Sequence, residues 1–136
     1  MLGSKILIVD DEQIFADTLA QIFQHEGYEC RAVYSAEQAV ETIADWEPAL
    51  AVVDVMLPGM NGIDLAILLK VGYPSLAVMM ISGQVATGGL VEKAAQQGHE
   101  FPILPKPFPV PDLLSNASRI LASISQPLPY NSSLMN

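Results

Sequence analysis

The sequence has little cysteine, little charge and very few basic residues. Its 136 residues include one cysteine, Cys30, so no disulfide can form within the chain. Only 15% of the residues are charged, and six basic residues stand against 15 acidic ones, which gives a net charge of -9. Such acidity disfavours direct binding of nucleic acid, whose phosphates attract Lys and Arg. A single cysteine fits a reducing compartment, so we expect a cytoplasmic protein.

Long apolar runs are also missing, although 51% of the residues are apolar. The longest runs fall far short of the ~20 residues that span a bilayer, so we expect no membrane contact. The opening "MLGSKILIVDDE" lacks the apolar stretch of a signal peptide. The length and the apolar content predict one folded domain over residues 1–125. Residues 126–136 have no periodicity, and we expect a flexible tail there.

Apolar runs alternate with helical patterns along the chain. The apolar runs predict strands at 5–9, 30–34, 49–55, 76–82 and 101–104. The helical patterns lie at 12–26, between Ser35 and Pro48, and at 62–71, 90–97 and 110–124. Strands that are apolar throughout, each followed by a helix, indicate a parallel sheet with helices on both faces.

Polar side chains stand where four of the predicted strands end. Asp10 and Asp11 follow the first strand, Asp54 closes the third, Ser82 the fourth, and Lys106 follows the fifth. The carboxyl ends of parallel strands share one edge of the sheet, and ligands bind at that edge. The sequence therefore predicts three carboxylates, a hydroxyl and an ammonium group around one site.

This arrangement resembles the receiver domain of bacterial two-component response regulators, the chemotaxis-regulator type. The resemblance rests on "ILIVDDE", "VVDVMLPGMNG", "MMISG" and "PKPF", which occur in the family's order. It covers residues 5 to about 125 and implies a flavodoxin-like, doubly wound (βα)5 fold. The implied five-stranded parallel sheet has the strand order 2-1-3-4-5.

The resemblance implies that Asp54 accepts a phosphoryl group from a sensor histidine kinase or a phosphotransfer protein. It also implies a Mg²⁺ site formed by Asp10, Asp11, Asp54 and the backbone carbonyl of Met56. Mg²⁺ prefers oxygen ligands of this kind. A bound divalent cation would offset the repulsion between these carboxylates and so explain why they lie together at the strand ends.

The remaining family positions concern the phosphoryl oxygens and the switch. Lys106 and Ser82 would contact the phosphoryl oxygens, and Ile103 occupies the position where the family usually has a switch aromatic. Met56 and Gln84 would flank the path of water that hydrolyses the phosphoryl group. The resemblance further implies a cis peptide bond between Lys106 and Pro107.

The sequence also suggests how the domain would signal. Its output would pass to a downstream protein through the fourth helix, the fifth strand and the fifth helix, with a homodimer as one possibility. The charge distribution agrees with a neutral contact surface there. Residues 1–68 carry a net charge of -10, whereas residues 69–136 carry only seven charged side chains and a net charge of +1.

Two other functions and one plainer interpretation compete with this one. A Mg²⁺-dependent phosphatase with an aspartyl nucleophile needs a second acid two residues after it, and Met56 stands there instead. A flavin-binding module of the flavodoxin type needs a phosphate-binding loop after the first strand, where "DDE" would repel phosphate. Glu12 fits the acids that favour the first turn of a helix, and we expect no further role for it.

Overall fold

The computed structural model describes residues 3–83 and 88–125, in which strands and helices alternate. The strands are β1 Lys5–Val9, β2 Glu29–Val33, β3 Leu50–Asp54, β4 Ala77–Ser82 and β5 Ile103–Pro105. The helices are α1 Gln13–His25, α2 Ala36–Asp45, α3 Gly62–Gly72, α4 Gly88–Gln96 and α5 Val110–Ser125. Within these ranges, none of the helices has the length and apolarity required to cross a bilayer. The expected tail, 126–136, lies outside the described residues.

All five strands are parallel and follow the order β2-β1-β3-β4-β5, which confirms the predicted fold class. Val9 lies between Val33 and Val53, so the carboxyl ends of β1, β2 and β3 are level. Further along the sheet, Asp54 pairs with Ile81 and Ser82 pairs with Pro105. This register brings the residues that follow β1, β3, β4 and β5 to one edge.

The sheet is buried on both faces because its central strands are apolar except at their ends, where Lys5, Asp54 and Ser82 lie. Along β1, Leu7 and Val9 pack into one core, which contains residues from α2 and α3. Ile6 and Ile8 pack into the other core, which contains residues from α1 and α5. The side chains of β1 alternate between these cores, which explains its unbroken run of apolar residues.

The predicted fifth strand, 101–104, begins too early, since β5 runs from Ile103 to Pro105. Pro102 lies within the predicted range, and its ring nitrogen has no hydrogen to donate to the neighbouring strand. Its carbonyl still accepts a hydrogen bond from Met80 N at 2.8 Å. Pairing begins only at the next residue, where Ile103 lies opposite Met80.

Candidate functional site

Lys106 lies among three carboxylates at the carboxyl edge of the sheet. Its Nζ is 3.1 Å from Asp10 Oδ2, 3.2 Å from Asp54 Oδ2 and 3.4 Å from Glu12 Oε1. Asp10 and Asp54 are 0% and 5% exposed, whereas the Glu12 side chain is 69% exposed. Water therefore screens the Glu12 contact, and the two buried aspartates are the stronger partners.

Each buried aspartate is also held by its own loop. Glu12 N donates to Asp10 Oδ1 at 2.9 Å, and Met56 N donates to Asp54 Oδ1 at 3.0 Å. A hydrogen bond from the backbone N–H two residues later in the chain to the aspartate side chain closes an Asx turn, which aspartate readily forms. One oxygen of each carboxylate is thus fixed by the backbone, while the other faces Lys106.

Burial and charge act together on the ionisation of this cluster. Burial raises the pKa of Asp10, and the nearby charge of Asp54 raises it further, although the Glu12 amide and Lys106 oppose both effects. Burial alone would lower the pKa of Lys106, but its hydrogen bond to Asp10 and the charges of both aspartates raise it overall. Lys106 therefore stays protonated beside the acids.

The loop after β3 brings the start of α3 against Asp54. Asn61 caps this helix by accepting a hydrogen bond from Asp64 N at 2.9 Å, and Gly62 N donates to Val55 O at 2.8 Å. A Cβ added to Gly62 would lie 1.8 Å from the backbone oxygen of Asp54, closer than any real contact. Glycine is needed here because the backbones approach so closely.

An open cavity of about 710 Å³ lies in front of these groups. Its lining residues are Asp11, Glu12, Phe15, Asp54, Met56, Gly83, Lys106, Pro107 and Phe108. Asp10, Glu12 and Asp54 each offer a carboxylate oxygen, and these oxygens lie within 4.8 Å of one another. Such a donor set suits a hard divalent cation.

The predicted ligands and the observed acidic cluster overlap only in part. Asp10 and Asp54 lie in both sets, and Asp11 lines the cavity as an exposed residue outside the cluster. Glu12 belongs to the cluster, although sequence reasoning assigned it only to the first turn of α1. Nothing in the local sequence showed that its side chain would approach Lys106, 94 residues away.

The other predicted residues lie around the same edge. Ser82 is half-buried at the end of β4, and its carbonyl accepts a hydrogen bond from Lys106 N at 2.8 Å. The Lys106–Pro107 peptide bond is cis, as predicted. Ile103 is 38% exposed on β5 and Met56 is 49% exposed beside Asp54. Gln84 lies outside the described residues.

Two aromatic side chains near Lys106 had no predicted role at the site. The centroid of the Phe15 ring is 4.3 Å from Lys106 Nζ. The rings of Phe15 and Phe108 meet edge to face, with their centroids 6.1 Å apart. Phe15 lies within the helical pattern predicted over 12–26, but that pattern contains no information about a partner from another loop.

Comparison with known protein families decides the assignment. A model of the family described as "Response regulator receiver domain" matches residues 6–118. The chain belongs to this family. The DNA-binding transcriptional regulator NtrC of Azospirillum brasilense is 34% identical over 127 residues, which are 93% of this chain and 26% of that protein. The response regulator protein FleR of Pseudomonas aeruginosa is 32% identical over 118 residues, which are 87% of this chain and 24% of that protein.

Solved receiver domains have the same fold. The receiver domain of NtrX from Brucella abortus matches with a TM-score of 0.77 and 34% identity, over 86% of this chain and 98% of that chain. A CheY-like receiver domain protein from Methanospirillum hungatei matches with a TM-score of 0.81 and 27% identity, over 91% and 97% of the two chains. These relatives have the flavodoxin-like arrangement inferred from the sequence.

Receiver domains are the phospho-accepting modules of two-component signal transduction, and this chain is such a module. The comparisons support neither the phosphatase nor the flavin-binding alternative. The chain spans about a quarter of the length of the NtrC and FleR proteins it matches.

Proposed function

We propose that Asp54 is the residue that accepts the phosphoryl group. The supporting observation is its position as a buried acid at the end of β3, with Oδ2 facing Lys106 and the cavity in front of it. The donor would be a sensor histidine kinase or a phosphotransfer protein carrying phosphohistidine. We assign this activity to a receiver domain over residues 1–125 and place it in the cytoplasm.

The proposed reaction uses the carboxylate of Asp54 as a nucleophile. One Oδ attacks the phosphorus atom of phosphohistidine, the P–N bond breaks, and the imidazole leaves with the bonding electrons. Lys106 supplies a positive charge for the phosphoryl oxygens, which are most negative in the transition state. The Ser82 hydroxyl would donate to the same oxygens. The domain would assist only its own phosphorylation and dephosphorylation.

Magnesium fits this donor set, because carboxylates and a backbone carbonyl are its preferred ligands. Asp10, Asp11, Asp54 and the carbonyl of Met56 would hold it. Glu12 is an additional candidate because its carboxylate lies within the acidic cluster. When bound, Mg²⁺ would reduce the repulsion between the Asp54 carboxylate and the incoming phosphoryl group.

Met56 and Gln84 would set the lifetime of the phosphoryl group by flanking the path of water. Met56 lines the cavity and is 49% exposed. Its thioether is only a weak hydrogen-bond acceptor, so it would not orient a water for attack. We therefore propose that Met56 does not assist hydrolysis and that the phosphorylated domain loses its phosphoryl group slowly.

The output surface would comprise α4, β5 and α5 and would contact a downstream protein, or a second copy in a homodimer. Ile103 lies on this surface at the switch position and is 38% exposed. Ser115, Ser118 and Ser123 are exposed on α5, and such small groups allow close approach of a partner. The domain itself would not bind nucleic acid, because of its acidic surface.

Phosphorylation by a small-molecule phosphodonor tests the proposal. After incubation of the protein with acetyl phosphate and Mg²⁺, intact mass should show one added phosphoryl group. Asp54→Asn should abolish it. Asp64→Asn is the matched control, because Asp64 is an exposed acid on the first turn of α3, and it should still gain one group. Full phosphorylation of Asp54→Asn, or of the wild-type chain in a chelator, would contradict the assignment.

A further inference from the structure

Phe15, which lies on the first turn of α1, makes a cation–π contact with Lys106. The ammonium nitrogen is 4.3 Å from the ring centroid, inside the ~6 Å range over which a ring face attracts a cation. The Lys106 side chain is only 17% exposed, and Phe15 is half-buried. The contact is therefore partly shielded from water, which strengthens it relative to an exposed pair.

The Phe15 ring is fixed by its surroundings. Phe108 packs its ring against that of Phe15 at an interplanar angle of 67°. Phe108 follows Lys106 by two residues, so the loop that carries the lysine also supports the ring that contacts it. On the other side, α1 is anchored by Ala16 and Leu19, which are buried in the core. The ring face therefore lies at a defined place beside the ammonium group.

The aliphatic part of Lys106 lies close to the chain after β4. A Cβ built on Gly83 would lie 3.3 Å from Lys106 Cδ and 3.7 Å from its Cβ, so the chain after β4 passes directly along the lysine stem. The stem thus runs close beside the Gly83 backbone, and the ammonium group lies among polar and aromatic neighbours. Of those neighbours, only the Phe15 ring has no lone pair for the ammonium hydrogens.

The difference between the carboxylates and the ring matters for the reaction. A bound Mg²⁺ would also use the carboxylates of Asp10 and Asp54 as ligands. Lys106 has to direct its hydrogens to the phosphoryl oxygens on Asp54. A ring face attracts the ammonium charge without accepting a hydrogen bond that would compete with those oxygens. Building on the proposed function, we propose that Phe15 is a positioning residue that holds Lys106 towards the phosphoryl group.

A double-mutant cycle tests the proposal through the rate of phosphorylation by acetyl phosphate at fixed Mg²⁺. Phe15→Leu keeps an apolar side chain but removes the ring, and we expect it to slow the reaction roughly three- to tenfold. Phe15→Tyr keeps the ring face and should recover most of the rate. In a Lys106→Ala background, Phe15→Leu should have no further effect, because the residue acts through the lysine.

Two controls separate positioning from folding. Ile14→Ala alters the neighbouring residue of the same turn, which is 85% exposed, and should react at the wild-type rate. Phe15→Met provides a second ring-free variant if Phe15→Leu does not fold, as judged by thermal unfolding.

The contact itself is measured by NMR, where the Lys106 Hε signals should lie upfield in the wild type because of the ring current of Phe15. These signals should move downfield in the ring-free variant.

The proposal is overturned if the ring-free variant reacts at the wild-type rate or leaves the Lys106 Hε shifts unchanged. It is also overturned if loss of the ring slows Lys106→Ala by the same factor as the wild type. Full phosphorylation of Asp54→Asn would instead refute the assignment of Asp54 as the residue that accepts the phosphoryl group. The failure of one proposal is therefore distinguishable from the failure of the other.

Discussion

Replacing Gly62 with alanine should disrupt the site through the backbone. The added Cβ would lie 1.8 Å from Asp54 O, 2.7 Å from Asp54 C and 2.9 Å from Val55 Cα. The Asp54 oxygen would have to move by about 1.2 Å to restore even a 3.0 Å contact, which is already tight. These are backbone atoms in and directly after a fully buried strand, so no flexible side chain can give way.

The cost of this change is that of overpacking a core, typically ~1–3 kcal/mol and occasionally more. We expect about 3 kcal/mol for Gly62→Ala, which corresponds to a fall in Tm of roughly 10 °C for a domain of this size. Because Asp54 would be displaced, the folded fraction should also accept phosphoryl groups more slowly. Urea unfolding gives the free energy, and intact mass gives the rate.

Gly72→Ala is the matched control for Gly62→Ala. Gly72 is at the other end of α3, and a Cβ added there would meet nothing within 4 Å. Alanine favours a helix over glycine by up to ~1 kcal/mol, so this variant should be neutral or slightly more stable. If Gly62→Ala were as stable and as active as Gly72→Ala, the inferred approach of α3 to Asp54 would be wrong.

Three further predictions concern the acidic cluster, the lifetime of the phosphoryl group and the output surface. The pKa of Asp10 is raised in the folded state, so Asp10 contributes most to stability when the pH is below 3.8, its ordinary pKa. This contribution is lost as the pH rises through the pKa of the folded state. Asp10→Asn should therefore raise Tm at pH 7 without divalent cations, and the gain should shrink towards pH 4; a constant gain across this range would contradict the reasoning. Met56→Asn should speed loss of the phosphoryl group, because the amide can orient a water, and unchanged or slower decay by intact mass would show that Met56 does not matter. With a phosphoryl mimic, hydrogen exchange should change in residues 83–104 and little in α1 and α2, whereas changes concentrated in 12–45 would place the output surface elsewhere.

The fold was predictable because its central strands are apolar on both faces and end abruptly in polar residues. Asp10 and Asp54 could be assigned to one edge from the sequence alone, since parallel strands share their carboxyl edge. The start of α2 at Ser35 was also readable, and Ser35 Oγ accepts a hydrogen bond from Gln38 N at 3.1 Å. Such features depend on residues near in sequence or on a single topological rule.

The missed features depend on contacts between distant parts of the chain. Glu12 and Phe15 approach Lys106 only because the loop after β5 folds back over the start of α1. Their own neighbours in sequence predict only the start of a helix, with no indication that a lysine would lie beside it. The late start of β5 is different, because Pro102 was visible in the sequence and has no amide hydrogen to donate to β4.

The central claim is that Asp54 carries the phosphoryl group, and chemical trapping locates that group directly. Borohydride reduces an acyl phosphate on aspartate to homoserine, and fragmentation of the resulting peptides identifies the converted residue. After treatment with acetyl phosphate and Mg²⁺, we predict homoserine at position 54 and unmodified aspartate at Asp10 and Asp11. Homoserine at either of those two positions, or unmodified Asp54 in a chain that has gained a phosphoryl group, would contradict the account.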